Sequence, residues 1–281
     1  MPELPEVETM RRGILPIVGG RIVGVSRGRC RYRPIAVTPK LPAFRRRAIS
    51  QTITGVSRIG KRVVVELEAG DRIIFEPRMT GLVLLADPPS REHCRLRIEL
   101  AGAQAAELVY WDRRGLGSVR LLSAQEMAQR FGEREIGPDA LAISVEELRQ
   151  RLGRSRRPIK VALLDQKLLA GVGNLYASEI LHLAAVHPAR PCHELRGPAW
   201  RRLHDALRQV LEAAIHHEGS TLSDGTYRNA LNQAGGYQNH HRVYDRAGEP
   251  CLTCNRGRIV RIVQAQRSTF FCPACQKAGR R

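Results

Sequence analysis

The sequence predicts an α+β chain of several domains: an N-terminal antiparallel β-sandwich or barrel entered through a short helix, a helical domain, and a small cysteine module at the end. Three observations predict it. Short β-rich runs separated by Gly, Pro and Asp fill residues 20–122. Apolar periodicity turns helical after Gly137-Pro138-Asp139. Four of the seven cysteines fall in two Cys-x-x-Cys pairs near the C-terminus. With 281 residues there is enough chain for two substantial cores and one module too small to have its own. The expected segments are 1–134 for the sandwich, 135–143 for a linker, 144–242 for the helical domain and 243–281 for the cysteine module.

The elements follow in order. Residues 2–13 open on a proline, place Glu3, Glu6 and Glu8 early and Arg11 and Arg12 late, the charge order that suits a helix dipole. Strands are expected in Arg21-Ile-Val-Gly-Val, Arg62-Val-Val-Val-Glu-Leu, Arg72-Ile-Ile-Phe, Gly81-Leu-Val-Leu-Leu and Cys94-Arg-Leu-Arg-Ile-Glu-Leu. Such short strands, broken by turn residues, belong to a sandwich or a barrel. Ser144-Val-Glu-Glu147 reads as a capping box opening a helix through Leu152. A buried helix is expected over 158–167 and another over 175–183, interrupted by Leu168-Leu-Ala-Gly-Val-Gly-Asn174. A longer helix over 198–217 puts Trp200, Leu203, Leu207, Val210 and Leu211 on one face. Residues 223–242, rich in Gly, Asn, Gln and His, read as a mobile loop.

Charge narrows the function. Lys+Arg 46 against Asp+Glu 27 gives +19, nearly all of it from arginine. Such an excess draws a polyanion, and the planar guanidinium suits phosphate. A membrane surface is the other acidic partner, but no basic amphipathic helix stands out, and no apolar run reaches the ~18 residues needed to span a bilayer. Nor is there a secretory or transit signal, so a cytoplasmic protein is expected.

Cys251-x2-Cys254-x17-Cys272-x2-Cys275 carries the clearest local chemistry. Four thiolates close a tetrahedral shell with no open position, so one structural Zn²⁺ is expected. The metal does the folding where core is scarce. Cys30, Cys94 and Cys192 are scattered singles, expected as buried small hydrophobes. Gly171 and Gly173 permit positive φ and close backbone approach, and Asn174 can cap the next helix or donate to phosphate. The same stretch can equally be an ordinary helix turn. At the N-terminus, loss of Met1 would expose the secondary amine of Pro2 beside Glu3 and Glu6. An amine can form an iminium with a sugar aldehyde carbon while carboxylates move protons. An ordinary capped helix start explains the same residues more simply.

Three stretches in order resemble the bacterial formamidopyrimidine-DNA glycosylases: Pro2-Glu-Leu-Pro-Glu-Val-Glu-Thr-Met-Arg-Arg-Gly13, Gly171-Val-Gly-Asn-Leu-Tyr-Ala-Ser-Glu179, and Gln264-Ala-Gln-Arg-Ser-Thr-Phe-Phe-Cys272-Pro-Ala-Cys275. The resemblance implies a helix–two-turn–helix in the second domain and a zinc-binding β-hairpin at the end. It implies a monomer acting on damaged double-stranded DNA, flipping an oxidised purine into a pocket. Pro2 would attack C1′, Glu3 would act as general acid/base and Glu6 as its supporting carboxylate. Lys61 would serve β-elimination and Arg267 δ-elimination. Asn174, His93 and Arg156 would contact the DNA. Met79, Arg114 and Leu116 would fill the space left by the flipped base. Leu116 stands where the family usually has Phe, and a leucine can wedge but not stack. Glu76-Pro77-Arg78 stands where His-Leu-Gly is usual, removing a phosphate-contacting His. The 223–242 loop, which covers the flipped base in the family, also departs from the usual pattern. Two other readings fit the residues less well: an endonuclease VIII-like enzyme for oxidised pyrimidines, and a zinc-containing protein that binds lesions without cutting.

Overall fold

The computed structural model describes residues 2–28, 30 and 32–278. Its contacts form two compact units: residues to Gly132 together with Ile215–Gln238, and Glu133–Ala214 together with residues from Asn239 onward.

The first unit begins with α1 (Leu4–Gly13), whose Leu4, Val7 and Met10 are fully buried. Next come β1 (Arg21–Ser26), β2 (Ala36–Thr38), α2 (Leu41–Ala48), β3 (Ile53–Ile59), β4 (Arg62–Leu67), β5 (Arg72–Glu76) and β6 (Gly81–Leu84). β7 (Cys94–Ala101), β8 (Glu107–Asp112), β9 (Ser118–Leu122) and α3 (Ala124–Phe131) complete it. One sheet runs β1-β7-β8-β6 and the other β2-β9-β5-β4-β3, the expected sandwich.

Its core shows why the strands read as they do. Val63, Val65, Ile73 and Phe75 from one sheet meet Leu82, Leu96, Ile98 and Val109 from the other, with Val7 and Met10 of α1. On the opposite face Val64 and Ile74 pack with Leu122 of β9 and Met127 of α3. The unbroken Val63-Val64-Val65 run therefore marks a strand covered on both faces.

Three expectations for the first unit need correction. The sandwich is not wholly antiparallel, because β2 pairs parallel to β9. The stretch read as strand texture also contains α2, with Pro42 in its first turn and Arg45, Arg46 and Arg47 in its last, an order that favours a helix. Segment 215–238, expected with the helical domain, packs with the sandwich: Leu85 N–H donates to the Ala230 carbonyl (2.9 Å).

The second unit holds α4 (Val145–Leu152), α5 (Ile159–Leu163) and α6 (Asn174–Leu183), most of α7 (Gly197–His216), and the hairpin of β10 (Val260–Gln264) and β11 (Arg267–Phe271). Ser144 Oγ accepts the Glu147 N–H (3.1 Å), the N-cap half of the expected box, while the Glu147 carboxylate turns to Arg151 (2.9 Å). The helix expected over 158–167 stops at Leu163, since Asp165 Oδ1 takes the Lys167 N–H (3.0 Å) and turns the chain. No helix among the described residues is long and apolar enough to cross a membrane.

Candidate functional site

The head of α1 carries the densest chemistry of the first unit. Pro2, Glu3 and Glu6 are all buried there. Burying a carboxylate is costly unless its oxygens are satisfied. Glu6 meets that condition with both: Oε2 accepts the Glu3 N–H (2.8 Å) and Oε1 accepts the Ser220 N–H (2.9 Å). One side chain thus fixes the backbone next to Pro2 and anchors the loop 214 residues further on. Gly219 (φ +80°) permits this approach, because a Cβ there would lie 2.8 Å from Glu6 Oε1. Tyr227 closes the site, its hydroxyl donating to the Glu218 carbonyl (3.0 Å). Burial and the nearby Glu6 charge hold that phenol well above its ordinary range. Asn229 also ties the loop together, taking the Leu231 and Gln233 N–H groups on Oδ1 (3.0 and 2.9 Å). The segment expected as a mobile loop is therefore internally bonded.

Lys61 lies with Gly60 in the two-residue turn between β3 and β4, where Ile59 pairs with Arg62. Met79 and Leu116 are each 37% exposed, and Arg114 is exposed between them in sequence. Apolar tips left in water beside a guanidinium suit insertion into a base stack. His93 is largely enclosed, with its ring 5.1 Å from that of Tyr32 and 5.6 Å from that of Trp111. Its Nε2 lies 3.3 Å from Glu92 Oε1.

The departure at Glu76 has a local explanation. Its carboxylate accepts from Arg62 (3.0 Å) and Arg120 (2.9 Å), with Arg78 at 3.4 Å. Burial pushes this carboxyl up, but the arginines outweigh it and hold it below the usual range. The acid is neutralised within the protein, so it presents little net repulsion to phosphate.

In the second unit, Gly171 takes a positive φ (+110°), as expected of the Gly-rich turn. Gly173 is extended and is itself the N-cap of α6, which corrects the capping role considered for Asn174. Asn174 instead donates through Nδ2 to the Ser268 carbonyl (3.0 Å) and accepts on Oδ1 from Lys160 (2.7 Å). Lys160 is fully buried, and its three N–H groups reach Asn174 Oδ1, the Ser268 carbonyl (2.9 Å) and Thr269 Oγ1 (2.7 Å). An ammonium with three donors and three acceptors is fully satisfied. Lys160 therefore joins the Gly-rich turn to β11, whose first residue is the exposed Arg267. Sequence reasoning passed over it; the signal was a lysine among Ile159, Val161, Ala162 and Leu163. Glu179 was passed over as well. Its buried carboxylate accepts the N–H groups of Arg242 (2.9 Å), Val243 (2.9 Å) and Tyr244 (2.7 Å), and burial raises its pKa. Arg156 is exposed in the loop before α5.

The Cys251, Cys254, Cys272 and Cys275 sulfurs all lie within 4.8 Å of one another. Cys251–Cys275 and Cys254–Cys272 are each separated by 3.8 Å. A tetrahedron with Zn–S bonds of about 2.3 Å has edges of about 3.8 Å, so the four thiolates fit one structural zinc. The core beside them is small, built on Val243, Ile259 and Phe270. Of the single cysteines, Cys94 and Cys192 are buried as expected. Cys30 is only half-buried, and its sulfur lies 2.6 Å from an Arg95 guanidinium nitrogen.

Comparison with known proteins agrees along the chain. Residues 1–119 match the formamidopyrimidine-DNA glycosylase N-terminal domain, 136–226 the formamidopyrimidine-DNA glycosylase H2TH domain, and 248–278 the zinc finger found in FPG and IleRS. The formamidopyrimidine-DNA glycosylase of Chloroflexus aurantiacus is 39% identical over 277 residues, covering 98% of each chain. That of Thermomicrobium roseum is 40% identical over 293 residues, covering 98% of this chain and 99% of the relative. The crystal structure of the MutM (Fpg) protein of Thermus thermophilus superposes with a TM-score of 0.85 at 37% identity, covering 99% of this chain and 100% of the other. Lactococcus lactis Fpg in complex with DNA containing an abasic site gives 0.85 at 33% identity, covering 98% and 100%. Fold and site together define a zinc-finger DNA glycosylase of base excision repair. The chain belongs to the formamidopyrimidine-DNA glycosylase family, whose members combine glycosylase and AP lyase activity.

Proposed function

We propose that this protein removes oxidised purines, formamidopyrimidines and 8-oxoguanine, from duplex DNA and then cuts the abasic strand by β,δ-elimination. The observation that carries the reading is the head of α1, where buried Pro2 sits beside two buried carboxylates and Glu6 is held through both oxygens. With Met1 removed, the Pro2 nitrogen is a secondary amine. It attacks C1′, the base leaves, and the resulting iminium acidifies the C2′ proton for elimination. Glu3 is the acid/base. Glu6 positions Pro2 and the 220–238 loop, being already committed to two backbone amides.

Lys61 serves β-elimination, and Arg267 contacts phosphate and assists δ-elimination. Asn174, Arg156 and His93 contact the strand. Met79, Arg114 and Leu116 occupy the vacated stack. The relatives support this reading: a Lactococcus lactis Fpg mutant forms a complex with Fapy-dG-containing DNA. The enzyme acts as a cytoplasmic monomer on one duplex.

Leu116 in place of an aromatic favours weighing a second reading, oxidised pyrimidines as substrates. Borohydride trapping on duplexes carrying 8-oxoguanine, formamidopyrimidine, thymine glycol or an abasic site tests both. An adduct that is strongest on the purine lesions and lost in Pro2→Gly is expected. Strongest trapping on thymine glycol would move the substrate to pyrimidines. Tight binding with no adduct on any duplex would make the protein a lesion binder.

A further inference from the structure

Asp112 ends β8 and is completely buried. Its carboxylate reaches both exposed tips of this face. Oδ1 accepts from the Thr80 hydroxyl (2.5 Å) and from the Arg114 N–H (3.2 Å), and Oδ2 accepts the Gly117 N–H (2.8 Å). Thr80 Oγ1 in turn accepts the Arg114 N–H (2.9 Å). The register of the sheet places these partners together, because Gly81 at the start of β6 pairs with Asp112.

The backbone of the second tip is held from behind as well. Arg95, nearly fully buried, donates to the carbonyls of Asp112 (2.7 Å), Arg113 (3.3 Å) and Arg33 (3.0 Å). Gly115 takes a positive φ (+62°), and a Cβ there would lie 2.5 Å from the Arg33 carbonyl, so the turn has no room to relax. Inward, the tips are pinned by a charged acceptor. Outward, they show only Met79, Arg114 and Leu116 with their arginine neighbours.

We propose that Asp112, acting through Thr80, is a positioning residue that makes the Met79 tip and the Arg114–Leu116 tip one preorganised wedge. It thereby selects for duplexes in which a stacked base must be pushed out. The inference rests on the assignment of those three side chains to the vacated stack. A wedge ordered only on binding would spend binding energy on its own ordering, and that energy would no longer oppose restacking. Loop rigidity matters most with Leu116, because a leucine fills the gap by shape alone and gains nothing from stacking. A pre-formed abasic nucleotide has no base to unstack, so it needs the wedge least.

The test is single-turnover kinetics on two duplexes, one with an intact lesion base and one with a pre-formed abasic site. 2-Aminopurine beside the lesion reports unstacking. Thr80→Val removes the hydroxyl relay at nearly constant shape. Asp112→Asn leaves the Gly117 N–H facing an amide donor. Each is expected to slow excision on the order of tenfold, with a smaller 2-aminopurine signal, while abasic-site cleavage changes less than about threefold. Thr80→Ser should restore excision, and Asp112→Asn combined with Leu116→Ala should be no slower than Leu116→Ala alone. Equal loss on both duplexes would mean a general structural role and overturn the proposal. So would full excision by Thr80→Val and Asp112→Asn when Leu116→Ala is slow. Full excision by Met79→Ala and Leu116→Ala would instead overturn the wedge assignment on which the proposal depends.

Discussion

The sandwich and the cysteine module reach order by opposite routes. In the sandwich, strands far apart in sequence enclose Val63, Phe75, Leu82 and Val109, and a carboxylate from the first helix bonds an amide at Ser220. In the module, a tight hairpin brings four sulfurs together within the 251–275 stretch, over a core of a few side chains. Order in the first is spread over many weak contacts. In the second it is concentrated in one ion. The difference teaches where each is fragile: the sandwich yields gradually to core changes, while the module fails at a single point.

The largest effect should come from the metal. Stripping zinc with a chelator, or Cys272→Ser, should unfold the hairpin and weaken duplex binding at least about a hundredfold, since structural zinc contributes on the order of 10 kcal/mol to such modules. Fluorescence titration with DNA and metal analysis check this. Unchanged affinity in the metal-free protein would break the comparison.

Next is Phe75→Ala, which opens a cavity in the sandwich core. A loss of about 3–5 kcal/mol in denaturant unfolding is expected, with the zinc content intact. Zinc loss on that change would mean the two regions are not independent.

Third is a pH dependence in the second unit. His241 is buried with His240 and Arg246 nearby and the Tyr244 ring 5.8 Å from its own. Burial first, then those cations, lowers its pKa from 6.5 to about 4. The unfolded chain takes a proton at His241 below about 6.5 and the folded chain only near 4. Stability is therefore full above 6.5 and falls as pH drops through that window, by on the order of 3 kcal/mol. His241→Asn should reduce the slope of the pH curve between those limits, the remainder belonging to His182 and His187, whose pKa values burial also lowers.

The smallest effect is at a purely local signal. Ser144→Ala removes one N-cap acceptor of α4 and should cost about 1 kcal/mol in thermal unfolding, with DNA binding unchanged.

Legibility in the sequence followed this same division. The cysteine spacing, the Ser144 cap, the acid-then-base charge order of α1 and the Gly171 turn are local, and each was readable because neighbours in sequence create the physics. The apolar run of β4 was readable as a strand, but not as one covered on both faces, since α3 lies more than fifty residues on. Asn174 was placed in the right motif, but the cap considered for it belongs to Gly173; its partners within the protein are Lys160 and Ser268, and no spacing rule joins 174 to 268. Glu76 was legible only as a departure that removes a His; its neutralisation was not, because Arg62 and Arg120 meet it only across neighbouring strands.

The sequence by itself determined the strand-rich and helical halves, the four-thiolate zinc site, the cationic surface and, through its three ordered motifs, the family. Periodicity, residue chemistry and short spacings are properties of the chain before it folds. Only the tertiary structure decided which charges are neutralised inside the protein. It satisfied Lys160 with three acceptors, held Glu6 through both oxygens and gave Asp112 the two exposed tips. Buried polar groups must find partners wherever the fold brings them, and those partners lie tens to hundreds of residues away.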